Sequence, residues 1–209
     1  MKKEGNEAII AGMEYGLYIL QGNDLYDAVT AANLKESEKW DRKNAHVVVF
    51  CENMVFQIEG DEGKELPFSY ETMLNGKKTF DAFEAIHVYD EEALELTREL
   101  AGSRCAVASY AINKGDGWFV PSAGHLMAIQ HYRSEINNII KVYTEDSVII
   151  NDWYWSCNQF SAANAWYIYM NNGIITSYYV KTAASRVRAI SAIDLNTLTL
   201  HLSNTEEAE

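Results

Sequence analysis

The sequence predicts an α+β fold, with helices early in the chain and a mostly antiparallel sheet late. Three observations carry this. Apolar residues recur at helical spacing near 24–40, 89–102 and 122–143, and β-branched and aromatic runs cluster at 47–58 and after 147. The chain holds only 2 Pro but is 12% aromatic, a composition suited to ordered structure.

The elements follow in order. "DLYDAVTAANLKESEKW" places Leu25, Ala28, Ala31 and Ala32 on one helical face. "AHVVVFCENMVFQIEG" predicts a hairpin, with runs at 47–51 and 54–58 joined at Glu52-Asn53. "GDEGKELPFSYETMLNGKKT" is polar and reads as an exposed loop or short helical turn. "YDEEALELTRELAG" reads as a helix, with acidic residues in its first turn and Gly102 at its end. Ser122 is placed to cap one long amphipathic helix through Tyr143. Short strands are then expected at 147–150, 165–170, 174–180, 186–193 and 197–202.

The 209 residues suffice for one domain, or one with a small satellite. The net charge of −13 is unevenly spread: −12 over residues 1–152, +3 over 153–192 and −4 beyond. So acidic a body repels phosphate backbones, and no nucleic-acid partner is expected. Residues 153–180 lack charge but carry Asn158, Gln159, Asn164, Asn171 and Asn172, which excludes a membrane span. Glu4, Glu7 and Glu14 interrupt what would be the apolar part of a leader, so no signal peptide is expected. Cys51, Cys105 and Cys157 are too few and scattered for a disulfide framework and are expected to be reduced.

"GWFVPSAGHLMAI", then "YWSCNQFSAANAWYIYMNNG", then "VRAISAI" resemble a family of bacterial and phage proteins with a C-type lectin-like fold. That family includes the variable ligand-binding proteins of diversity-generating retroelements and related surface and tail proteins. The likeness covers about residues 115–192. His125 stands where the family has Glu, Cys157 replaces a Ser, and Arg186 stands where Tyr often precedes Val-Arg. The resemblance implies one lectin-like domain over 1–209, a variable binding region at 153–188 and a C-terminal extension at 194–209. It also implies display on a phage tail or bacterial cell surface, a protein or glycan ligand, and no catalysis, cofactor or metal.

Such retroelements mutate the adenines of A-A-C codons, which cannot yield Trp, Gln, Met, Lys or Glu. Trp153, Trp155, Gln159, Trp166, Met170 and Lys181 are therefore expected to be invariant. The varied, ligand-binding set is Asn158, Phe160, Ser161, Ala163, Tyr167, Tyr169, Thr176, Tyr178, Tyr179, Thr182, Ser185 and Arg186. Tyr, Ser and Asn suit a paratope, Tyr giving contact area at low entropy cost. Alternation in "AWYIYMNNG" turns Trp166, Ile168 and Met170 inward and Tyr167 and Tyr169 outward. Trp118, Trp155 and Trp166 are expected in the core.

Other chemistry is weaker. Asn151-Asp152 resembles part of a lectin calcium site but lacks the accompanying proline loop. His125 and His131 are six apart, the wrong helical spacing for one metal, and are expected at or near the surface. Ser122 lies outside any G-x-S-x-G motif. Two alternatives remain: a structural surface or tail assembly protein, and a relative of the formylglycine-generating oxidases that would use Cys105 and Cys157.

Overall fold

The computed structural model describes residues 13–35, 40–51, 54–72 and 78–203. Residues 1–12, where no signal peptide is expected, and the hairpin turn at 52–53 both lie outside the described residues. In chain order come β1 (Gly16–Gln21), β2 (Asp24–Tyr26), α1 (Ala28–Leu34), β3 (Ala45–Cys51), β4 (Met54–Ile58) and β5 (Gly63–Pro67). Helices α2 (Ala82–Ile86), α3 (Asp90–Ala101) and α4 (Ala106–Ile112) follow, then β6 (Trp118–Phe119), α5 (Ala123–His131) and α6 (Arg133–Tyr143). The last third holds β7 (Trp153–Gln159), β8 (Ala165–Tyr169), β9 (Ile175–Thr176), β10 (Ala184–Val187), β11 (Ile190–Ala192) and β12 (Thr199–His201).

The fold is α+β. Seven strands form one sheet in the order β12-β2-β1-β3-β4-β11-β6, and five form another in the order β5-β10-β7-β8-β9. Most pairings are antiparallel; β12 with β2 and β10 with β7 are parallel. One core takes residues from both sheets, including Val49 and Phe56 from the larger and Trp155 and Ile168 from the smaller. On the opposite face of β3, Val48 and Phe50 join a second cluster. The C-terminal extension covers that cluster: Leu195 is buried, and Ile193, Leu198, Leu200 and Leu202 pack against it. Strand β3 is therefore buried on both faces, which suits its unbroken "VVVF" run.

The expected helix at 24–40 is shorter. Residues 24–26 pair with β1, and α1 starts only after Asp27, whose carboxylate accepts from Thr30 N. The 60–79 excursion contributes strand β5. The run at 147–150 is not a strand, 174–180 supplies only the two-residue β9 and an isolated bridge from Val180 to Asn164, and 186–193 divides between the two sheets.

Ser122 caps a helix as expected, within a capping box closed by His125. The single long helix is corrected to two, because the backbone leaves helical geometry at Tyr132 (φ −94°, ψ 10°). The halves serve different surfaces. Buried nearly all round at its start, α5 lies chiefly against β7 and β8. The amphipathic α6 turns Ile136 and Ile140 inward and lies against β3 and β1. One straight helix could not serve both sheets.

Trp155 and Trp166 are buried, but Trp118 is only half-buried, at the end strand of the larger sheet. Gly124 fixes how α5 docks: a β-carbon there would lie 2.3 Å from the Ile86 carbonyl oxygen. Gly124→Ala is expected to lose about 1–3 kcal/mol of unfolding free energy through overpacking. Urea titration reads this directly; a parent-like midpoint would show that α2 and α5 do not meet so closely.

Candidate functional site

Register sets the site. Strand β7 pairs with β8 so that Trp153 lies opposite Tyr169 and Trp155 opposite Tyr167. Opposed residues share a face, so these four rings stand together. Trp153 stacks on Tyr169 with centroids 4.8 Å apart, and Tyr167 lies 4.5 Å from Trp153 and 5.1 Å from Tyr179. The predicted alternation holds, since Tyr167 and Tyr169 share a face opposite Trp166 and Ile168. That face is not open, however. Phe68 packs edge-on to Trp155, whose indole N–H donates to the Leu66 carbonyl at 3.1 Å. The segment expected to be an exposed excursion closes over it, leaving Tyr167 only 2% exposed.

A cleft of about 230 Å³ remains, lined by Glu65, Asp152, Trp153, Tyr167, Tyr179, Ala184, Ser185 and Arg186. Tyr167 forms its floor, and its hydroxyl has no hydrogen-bond partner among the described residues. Burial and the neighbouring Tyr179 raise the Tyr167 phenol to about 12, so it stays protonated at neutral pH. Arg186 donates to Asp152 Oδ2 and Glu62 Oε2, both at 2.7 Å. Burial opposes its charge, but these two carboxylates outweigh that and hold its pKa above the ordinary value. Ser185 Oγ donates to the Trp153 carbonyl at 2.6 Å.

Glu65 was invisible to sequence reasoning because it sits in a polar run without periodicity. Lys64 and Glu65 together oppose Arg186, since the β5–β10 register shifts between Ser185 and Val187. This is a β-bulge, a device that re-aims side chains. Glu65 adopts a left-handed conformation there (φ 55°), which few side chains favour.

The other predicted residues divide. Phe160, Thr176 and Tyr178 line a separate cleft of about 470 Å³ with Trp166 and Asn164. Tyr178 and Tyr179, adjacent in sequence, thus face different clefts, so the expected single surface is corrected to two. Asn158, expected at the surface, is buried, and its Oδ1 accepts from Ala123 N at 2.9 Å to hold the start of α5. Ser161 ties its turn by accepting from Ala163 N and Asn164 N. Ala163 is half-buried; its carbonyl accepts from Lys181 N at 2.7 Å. Thr182 is exposed and lines neither cleft.

A triad-like spacing elsewhere belongs to a helix cap. Ser122 Oγ lies 2.6 Å from His125 Nδ1, and His125 Nε2 lies 2.8 Å from Asp90 Oδ1, the spacing of a hydrolase triad. Yet Ser122 is fully buried and its hydroxyl donates to the Val88 carbonyl, which occupies it as a cap. His125 is likewise buried, not at or near the surface, because it closes the capping box and meets Phe56 and Phe119 edge-on. All three cysteines are free. Burial pushes the Cys105 thiol up to about 12 and raises Cys157 as well, opposing thiolate chemistry. Asp152 serves its turn and Arg186, accepting from Trp153 N at 2.8 Å. Among the described residues no three His, Cys, Asp or Glu converge as metal ligands, and no helix is long and apolar enough to cross a membrane.

Two outcomes are expected. Glu65→Gly removes the left-handed strain and should raise unfolding free energy by about 1 kcal/mol, read by thermal or urea unfolding. An unchanged or lower value would deny the strain. Lys181 is fully buried against Gln159 and Phe68, and burial lowers its ammonium from 10.5 to about 8. The unfolded chain therefore holds that proton more tightly, so stability rises as pH climbs from about 8 to 10.5. Lys181→Met should lose this rise in unfolding curves across that window; a parallel pH profile would sink the assignment.

No protein-family model matches the chain, and no curated protein does. Among solved structures it is similar to a fimbrial protein from Bacteroides ovatus, at 17% identity and a TM-score of 0.47. The match covers 66% of this chain and 35% of the fimbrial one, so the chain spans about a third of that protein's length.

Proposed function

We propose that the protein is a ligand-binding surface protein that displays a diversified Tyr-, Asn- and Ser-rich face on a C-type lectin-like scaffold. Its place is a phage tail or a bacterial cell surface, and its partner a protein or glycan. One observation carries the reading: burial follows the limits of adenine mutagenesis. Of the six residues unreachable from A-A-C codons, Trp155, Gln159, Trp166, Met170 and Lys181 are buried, and Trp153 is half-buried at the first cleft. Of the twelve reachable candidates only Asn158 and Tyr167 are buried, and Phe160, Tyr178, Tyr179 and Thr182 are exposed. The three exposed aromatic members, Phe160, Tyr178 and Tyr179, line two clefts, where large aromatic side chains supply interface energy.

The triple variant Phe160→Ala, Tyr178→Ala, Tyr179→Ala should lose at least about 2 kcal/mol of affinity for the target while melting like the parent. Labelled protein titrated onto a panel of intact bacterial cells reads this. Undiminished binding by the variant would remove the face from consideration. A reverse transcriptase gene beside this one, with a near-copy of codons 153–188 differing at adenines, is the expected genetic context. A neighbourhood lacking both would sink the retroelement reading.

A further inference from the structure

We propose that the cleft floored by Tyr167 takes a basic side chain of a protein partner, arginine before lysine. This rests on the binding-face reading and names what one part of that face recognises.

Size comes first. At about 230 Å³ the cleft lies below the range for drug-sized ligands and admits one chemical group. Three aromatic rings line it: Trp153 and Tyr167 lie 4.5 Å apart, centroid to centroid, and Tyr167 and Tyr179 lie 5.1 Å apart. Aromatic rings attract cations, most strongly when the cation leaves water.

Charge comes next. Arg186 is already neutralised by Asp152 and Glu62, and Arg188 shares Glu62 at 3.2 Å. Together with Glu65 these five groups leave one net negative charge, carried by the Glu65 carboxylate. That carboxylate makes no ion pair or hydrogen bond among the described residues, and a left-handed backbone holds it at the cleft. The chain as a whole, at −13, draws cations toward it.

The floor completes the match. Tyr167 is 2% exposed, and its hydroxyl has no partner among the described residues although it lines the cleft. That hydroxyl is not cut off from solvent, so a ligand group that bonds it takes the place of water. A guanidinium is planar, stacks on aromatic rings and carries five N–H donors, so it can meet the phenol oxygen and the carboxylate together. An ammonium makes point contacts only, hence the preference. A neutral sugar could stack and hydrogen-bond here but would leave the negative charge unanswered.

The test titrates N-acetyl-arginine amide into the full chain, with the citrulline amide as neutral isostere and methyl glucoside and methyl galactoside as sugar probes. Tryptophan fluorescence and amide NMR shifts report binding. Arginine amide should saturate at roughly millimolar concentration, weaken with salt, and bind about tenfold tighter than citrulline amide. Glu65→Gln, folded with an unchanged melting temperature, should lose about tenfold. Equal binding of citrulline, no effect of Glu65→Gln, or no saturable arginine binding would each overturn the proposal. Glycosides binding in arginine's place would overturn it while leaving the binding face intact. The face itself stands or falls separately, on the triple variant's loss of cell binding.

Discussion

One buried guanidinium sets the terms for everything around the cleft. Arg188 is 1% exposed and sits between β10 and β11, where the chain passes from the smaller sheet to the larger. It donates to the carbonyls of Glu59, Gly60 and Ser147 at 2.8–2.9 Å and to Glu62 Oε1 at 3.2 Å. A charge so deep is tolerable only when paired and hydrogen-bonded. Among its donors Nε alone lacks a partner. Lysine could not span these acceptors, because its donors radiate from a point. Through Glu62 the constraint passes to Arg186 and Tyr154, and through Arg186 to Asp152, whose carboxylate fixes the backbone at Trp153. The cleft wall is thus hung from a charge that never touches the cleft.

The same logic explains why the sheets do not separate. The run 186–193 reads as one strand, yet the chain here pairs in two places: Ser185 with Leu66, and Ser191 with Gln57 and Trp118. Arg188 marks the changeover. Tyr132 marks a similar one in the helical layer, where α5 gives way to α6. At both sites a locally regular segment is divided because tertiary surfaces on either side demand different directions.

Local signals in the sequence were legible and long-range ones were not. The hairpin strands, the Ser122 cap and the inward set Trp166, Ile168 and Met170 follow from periodicity and capping, which depend on near neighbours. The α+β class follows from the same sources. What covers Tyr167 does not. That face is closed by Leu66 and Phe68, about a hundred residues earlier, in a segment whose polar composition hides one strand and one core phenylalanine. Alternation alone turns Tyr167 outward, because it carries no trace of the distant segment that closes the face. Asn158 failed for a related reason: its partner, the Ala123 N–H, is 35 residues away. The strained Glu65 leaves no trace in composition, because a left-handed glutamate is a property of the bulge and not of the residue.

A few hydrogen bonds to backbone atoms hold the 158–182 region. Asn164 Nδ2 donates to the carbonyls of Tyr178 and Tyr179 at 3.2 and 3.1 Å. Lys181 N donates to the Ala163 carbonyl, and Trp166 Nε1 to the Phe80 carbonyl at 2.9 Å. The loops are therefore clamped through backbone atoms by a few scaffold side chains. Side chains at 178 and 179 project from a clamp that does not use them, so their replacement changes the surface without releasing the loop. Tyr167 is the exception. It serves as a floor against Trp153 and Trp155, so the residues that can replace it are limited by packing. Change at 167 should reshape the depth of the cleft, whereas change at 179 reshapes only its rim.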